Sequence, residues 1–184
     1  MTKNATFHDL EGASVFITGG GSGIGASLTD GFLSQGAKVA FIGRSDASSF
    51  VQEMAEKHGR APVFFQGDMT NTEHFQSIIA KAAEMNGPIS VLVNNAANDS
   101  RHTTAEVTPG FWDWMIEVNL KAYFFAPQAV LPGMQTAGRG AIVNFSSISY
   151  KMGNSGYPIY TAANGGITTM TRSHASEIGP DNVR

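Results

Sequence analysis

Residues Ser14 to Ser27 read SVFITGGGSGIGAS, an apolar run that breaks into glycine and then into residues that can be helical. The first five residues are β-branched, aromatic or small, the composition of a short buried strand. Five glycines then fall between Gly19 and Gly25. Glycine lets a chain turn with positive φ and brings its backbone close to a ligand. Gly19, Gly21, Ser22, Gly23, Ile24 and Gly25 are therefore candidate ligand-facing residues. A helix expected near 23 to 35 would offer free N–H groups and the positive end of its dipole to an anion. Gly21 to Ala26 also fits GxGxxA, a dinucleotide-binding spacing in the strand, turn, helix setting that the motif requires. Glycine-rich turns are common, so the rest of the chain has to decide between a pyrophosphate cradle and an ordinary turn.

Outward from this stretch the same alternation continues. KVAFIG, APVFFQ, ISVLVNN and GAIVNFSS are short apolar runs, separated by segments of helical period near 47 to 58, 72 to 86, 108 to 136 and 158 to 177. Strands that alternate with helices predict right-handed crossovers onto a parallel sheet covered on both faces, an α/β doubly wound architecture. Nearly continuous apolar strands fit burial on both sides. Pro109 suits the first turn of the fourth helix, and Pro127 is expected to kink or split it.

Composition narrows the function classes. The chain has 184 residues, 42% of them hydrophobic and 15% charged, which suits one globular domain over residues 1–184. A formal net charge of -3 gives no general attraction to nucleic acid or to an anionic membrane. Any phosphate must then be held by a local site. With no cysteine there is no disulfide or thiolate chemistry, and no metal site is expected. The leading apolar run is too short for a signal peptide or a membrane span, so the chain reads as a cytoplasmic protein.

Arg44 follows the second strand, 19 residues past Gly25. An acidic residue there would bind an adenosine ribose 2′-hydroxyl, whereas arginine accommodates a 2′-phosphate, so NADP is favoured over NAD. An ordinary solvated arginine is the competing reading, and Asp46 nearby can weaken a phosphate site.

Taken jointly, TGGGSGIG, Asp68 in GDMT, NNAA after the fourth strand, Asn119 in VNL, FSSIS after the fifth and Tyr160 resemble the short-chain dehydrogenase/reductase family over essentially the whole chain. The resemblance implies a Rossmann-type sheet of order 3-2-1-4-5. By it, Asp68 and the Met69 backbone would hold adenine, and Asn95 and Ala96 would line the adenosine ribose side. Tyr160 would be the base, Ser147 thirteen residues earlier the donor that orients the reacting oxygen, and Asn119 the residue that kinks its helix and holds a relay water. The family's lysine four residues after the tyrosine would bind ribose hydroxyls and lower the phenol pKa; here that position is Asn164, which can keep the first role and not the second. Lys151 is a possible substitute cation.

Within the family, NNAANDSRH, FWDWMIEVNL, VNFSSISYKMGNSGYPIY and GITTMTRSHASEIGPD resemble the branch that oxidises aldoses such as D-xylose and L-arabinose at C1. That implies a small-molecule substrate, a sugar or other polyol. Asn98, Arg101 and His102 after the fourth strand, with Ser149 and Asn154 after the fifth, are the substrate candidates, His102 being equally readable as a structural loop histidine. The family also implies a homo-oligomer and about 60 to 70 further residues, so the chain is expected to be a fragment lacking the C-terminal strands, with its fifth strand an open edge. A non-catalytic dinucleotide-binding protein is the alternative, because of Asn164 and that missing part.

Overall fold

The computed structural model describes residues 5–184. Five strands, β1 Ser14–Thr18, β2 Lys38–Gly43, β3 Val63–Gln66, β4 Val91–Asn94 and β5 Ala141–Asn144, pair in parallel in the order β3-β2-β1-β4-β5. The helices between them are α1 Gly23–Ser34, α2 Ser48–His58, α3 Thr72–Asn86, α4 Pro109–Ile116, α5 Ala122–Ala137, the single turn α6 Ser149–Met152, and α7 Pro158–Ile178. All five strands and the five long helical segments fall where the alternation of the sequence places them.

Every residue of β1 is buried. Alternation sends Val15 and Ile17 into one core with Leu33, Phe41 and Met54, and Phe16 into the other with Phe75, Ile79, Val130 and Met134. Helices therefore have to cover both faces of the sheet. Asp30 of α1 further ties α2 in place by holding Lys57 at 2.7 Å and His58 at 2.6 Å.

Two expectations are corrected. Pro127 does not break the fourth helical segment; it lies buried inside α5, where packing offsets the one hydrogen bond that a proline removes. The irregularity lies earlier, in a wide π-helical turn at Glu117–Lys121 with Asn119 in its middle. Nor is β5 bare along its edge. Gly140 N–H donates to the Asn182 carbonyl at 3.3 Å, Arg184 N–H to Gly140 at 3.1 Å and Ile142 N–H to Arg184 at 2.7 Å, forming a parallel bridge from Gly140 to Val183. Further along the strand, Val143 remains 44% exposed.

Candidate active site

In the parallel order β3-β2-β1-β4-β5 the direction in which strands are added across the sheet reverses between β1 and β4, and the crevice beyond their C-terminal ends is the expected ligand position. A cleft of about 470 Å³ lies there, lined by Gly19, Gly21, Ser22, Ile24, Gly25, Arg44, Asp68, Met69, Asn95 and Ala96 among others. Of the residues singled out for cofactor binding, only Gly23 is outside its walls.

The glycines of the turn have separate reasons to be glycine. Gly19 and Gly23 have φ of +70° and +53°. Gly20 has no room for a Cβ beneath Phe41, and a Cβ on Gly25 would run into the Gly19 carbonyl. This packing brings the start of α1 tight against the end of β1. Ser22 at the N-cap makes no side-chain capping bond, and the first amide bonded back to its carbonyl is that of Ala26, at 3.1 Å. The earlier N–H groups are left for an anion, so the cradle fits a pyrophosphate. Gly25→Ala is expected to lower the midpoint of thermal unfolding and abolish dinucleotide binding, since overpacking against backbone costs about 1–3 kcal/mol or more; a fluorescence titration and a melting curve check both.

The rest of the cleft fits an adenine nucleotide. Asp68 accepts from Thr70 N–H at 2.9 Å, while the cap of α3 is Asn71, which accepts from His74 N–H at 3.0 Å. Asp68 is thus not consumed as a helix cap. Asp46 is turned to Ser48, accepting from its hydroxyl at 2.6 Å and its N–H at 3.1 Å; the hydroxyl first, then the amide, holds its carboxyl below the usual range. Among the described residues Arg44 forms no ion pair, so its guanidinium stands exposed at the rim. The far wall is fixed by Thr18, whose hydroxyl accepts from Asn95 N–H at 2.9 Å and Ala96 N–H at 3.0 Å.

A second cavity of about 150 Å³ is lined by Asn119, Tyr123, Phe145, Ser146, Tyr160, Asn164 and Ile167. It shares Ile24, Asn95 and Ala97 with the large cleft. Asn119 is 1% exposed, and its two amide hydrogens go to the Asn98 and Met115 carbonyls at 3.0 and 2.9 Å while its oxygen accepts from Asn98 N–H at 2.8 Å. It clamps the loop after β4 to the π turn. Asn164, 3% exposed, donates to the Tyr160 carbonyl of its own helix at 2.9 Å, and its side-chain oxygen has no protein donor among the described bonds.

Ser147 is not in the wall of this cavity; its oxygen accepts from Ser149 N–H at 3.2 Å, which leaves its hydroxyl hydrogen uncommitted. Ser146 lines the cavity but is occupied in holding α7, donating to the Asn164 carbonyl at 3.1 Å. Lys151 lies over the Tyr150 ring, 5.5 Å from its centroid. A second cation, Arg101, lies 4.1 Å above the Tyr157 ring, which meets Tyr160 edge to face at 5.8 Å.

None of the five substrate candidates lines either cavity. Arg101 and Asn154 are exposed around Tyr157, with Asn154 donating to the Tyr157 hydroxyl at 3.2 Å. Asn98 folds its side chain onto Ser100 N–H at 2.9 Å. His102 and Ser149 are buried. Tyr123 is a cavity residue that the sequence reading missed. Burial, and secondarily Tyr160, pushes its phenol well above the usual tyrosine range. Its spacing of four residues from Asn119 was the available signal, masked by the apolar run around it.

The short chain dehydrogenase family profile matches residues 13–184. The chain is 46% identical to D-xylose 1-dehydrogenase of Caulobacter vibrioides over 184 residues, 99% of this chain and 72% of that protein. It is 44% identical to a Rhizobium meliloti protein named "Probable galactose dehydrogenase GalD", over 98% of this chain and 72% of the relative. In fold alone it resembles a solved NADH-dependent reductase responsible for alginate metabolism, with a TM-score of 0.89 at 24% identity over 97% of this chain and 76% of that one. The chain belongs to the short-chain dehydrogenase family. It is therefore an oxidoreductase acting on CH–OH groups with a nicotinamide cofactor. Among the described residues no helix is long and apolar enough to cross a membrane.

Proposed function

We propose that the chain is an aldose dehydrogenase that uses NADP in preference to NAD. The observation that carries this reading is the adjacency of the two cavities: the one holding Tyr160 shares Ile24, Asn95 and Ala97 with the dinucleotide cleft. A hydroxyl on a carbon facing the nicotinamide would then lie within reach of Tyr160. The glycine turn would hold the pyrophosphate, Asp68 and Met69 the adenine, Asn95 and Ala96 the adenosine ribose side, and Arg44 the 2′-phosphate. Bound there, the cofactor supplies hydride exchange with the carbinol carbon.

The chain's own residues handle the proton. The Tyr160 phenolate takes the O–H proton as the carbonyl forms, and in the reverse direction its phenol returns that proton. Ser147 directs its free hydroxyl hydrogen at the substrate oxygen. Asn119 positions the loop after β4, and the Asn164 oxygen accepts from a ribose hydroxyl. Arg101 and Asn154 would meet the outer hydroxyls of a sugar. The exposed Phe124 on α5, 5.5 Å from His174 on α7, supports a homo-oligomer formed through these helices.

The test is an aldose panel, including D-xylose and D-galactose, with NADP and with NAD, followed by absorbance of the reduced cofactor. The expected result is turnover with NADP. In Arg44→Ala, NADPH binding should weaken about 10- to 100-fold, the worth of a charge-assisted hydrogen bond, with NADH binding unchanged. Equal weakening of both cofactors would remove Arg44 from phosphate recognition. The uncharged Asn164 favours one second reading, a dinucleotide-binding protein without turnover. NADPH binding with no oxidation of any sugar, even in alkaline buffer, would select it.

A further inference from the structure

We propose that His102 is the positioning residue for Tyr160, acting through the first turn of α7. This helix starts without a cap of its own. Tyr157 at the N-cap makes no side-chain capping bond, and Pro158 at the first position has no N–H to satisfy. The next amide, Ile159, is deeply buried, where an unpaired N–H is costly. Its acceptor is Nε2 of His102, 57 residues earlier in the chain, at 3.3 Å.

That bond settles the tautomer. Nε2 must present its lone pair, so the ring proton lies on Nδ1, which donates to the Ser100 carbonyl at 2.9 Å. His102 is 7% exposed, and its ring meets Phe111 of α4 edge to face at 5.1 Å. The His102 backbone N–H donates to the Gly156 carbonyl at 2.9 Å, so one residue ties the loop after β4 to the start of α7 at two points. The same loop carries Asn98, clamped by Asn119. Tyr160 follows Ile159 directly, so the distance between the tyrosine and the Asn119 side of the cavity is set through this imidazole. His102 lines neither cavity and touches no reacting atom. The inference rests on Tyr160 being the reacting base.

The test uses His102→Leu, which removes the acceptor, and His102→Gln, whose side-chain oxygen can take the place of Nε2. Hydrogen exchange is read amide by amide along α7. In His102→Leu, the Ile159 and Tyr160 amides should exchange about tenfold faster or more, as for a lost helix cap, with those beyond Ile167 unchanged. The kcat for sugar oxidation should fall about tenfold or more with the NADPH dissociation constant unchanged. His102→Gln should restore both. In the parent protein, a coupling across the hydrogen bond between Ile159 nitrogen and an unprotonated Nε2 should be visible by ¹⁵N NMR, which needs no variant to fold. Equal exchange in all three forms, failure of glutamine alongside leucine, or a protonated Nε2 without coupling would overturn the proposal. If the parent oxidises no sugar, the functional reading fails by itself, and the exchange and coupling results still decide the role of His102.

Discussion

Tyr160→Phe is expected to lower aldose oxidation by about 10²–10⁴-fold, the range for losing a positioned acid–base group, with NADPH binding unchanged. The substitution deletes one oxygen and keeps the ring, so the edge-to-face contact with Tyr157 and the backbone of α7 stay as they are. Tyr123, the other phenol in the cavity, cannot take over. Its burial disfavours the phenolate, which is the form needed to accept a proton. Steady-state kinetics beside a cofactor titration make the check. A variant rate within tenfold of the parent would exclude Tyr160 as the base.

Asn164→Lys should act in the opposite direction, raising oxidation near neutral pH about tenfold or more. An ordinary phenol titrates near ~10, so only about one in a thousand is ionised at neutrality. A cation a few ångströms away favours the charged form and lowers that value by roughly one to three units. The sign follows from the charge: the gain is present below the ordinary phenol range and disappears above it, where the parent site ionises without help. Position 164 suits the experiment, since its side chain already lines the cavity with Tyr160. Rates of the two forms measured across pH should converge in alkaline buffer. Parallel profiles with no neutral gain would show that charge at this position is not what limits the reaction.

The sheet was legible because its signal is local and repeated. Five apolar runs separated by segments of helical period have few alternative folds, and the glycine turn fixes where the first helix starts. The position of the cleft followed from it together with the family resemblance, which implies the order of the strand ends that form its walls. What stayed hidden depends on contacts between distant segments. The resemblance placed a kink at Asn119, where the π turn Glu117–Lys121 lies; what no helical period announces is its clamp on the backbone of Asn98, and Pro127 was the more visible site for a break that α5 does not make. His102 offered position only; its acceptor role needs the Ile159 amide, which comes near it only after folding. Tyr123 was lost among apolar neighbours because a phenol and a core aromatic read alike in sequence.

Thr18 has a consequence for how the cleft meets its ligand. One hydroxyl at the end of the central strand accepts from both Asn95 and Ala96, while Asn95 donates back to the Thr18 carbonyl at 3.0 Å. The far wall is thereby bolted to the rigid middle of the sheet. A dinucleotide arriving there finds its seat already shaped, so little chain entropy is lost on binding. Association on this side is then governed by encounter and desolvation rather than by ordering of the chain.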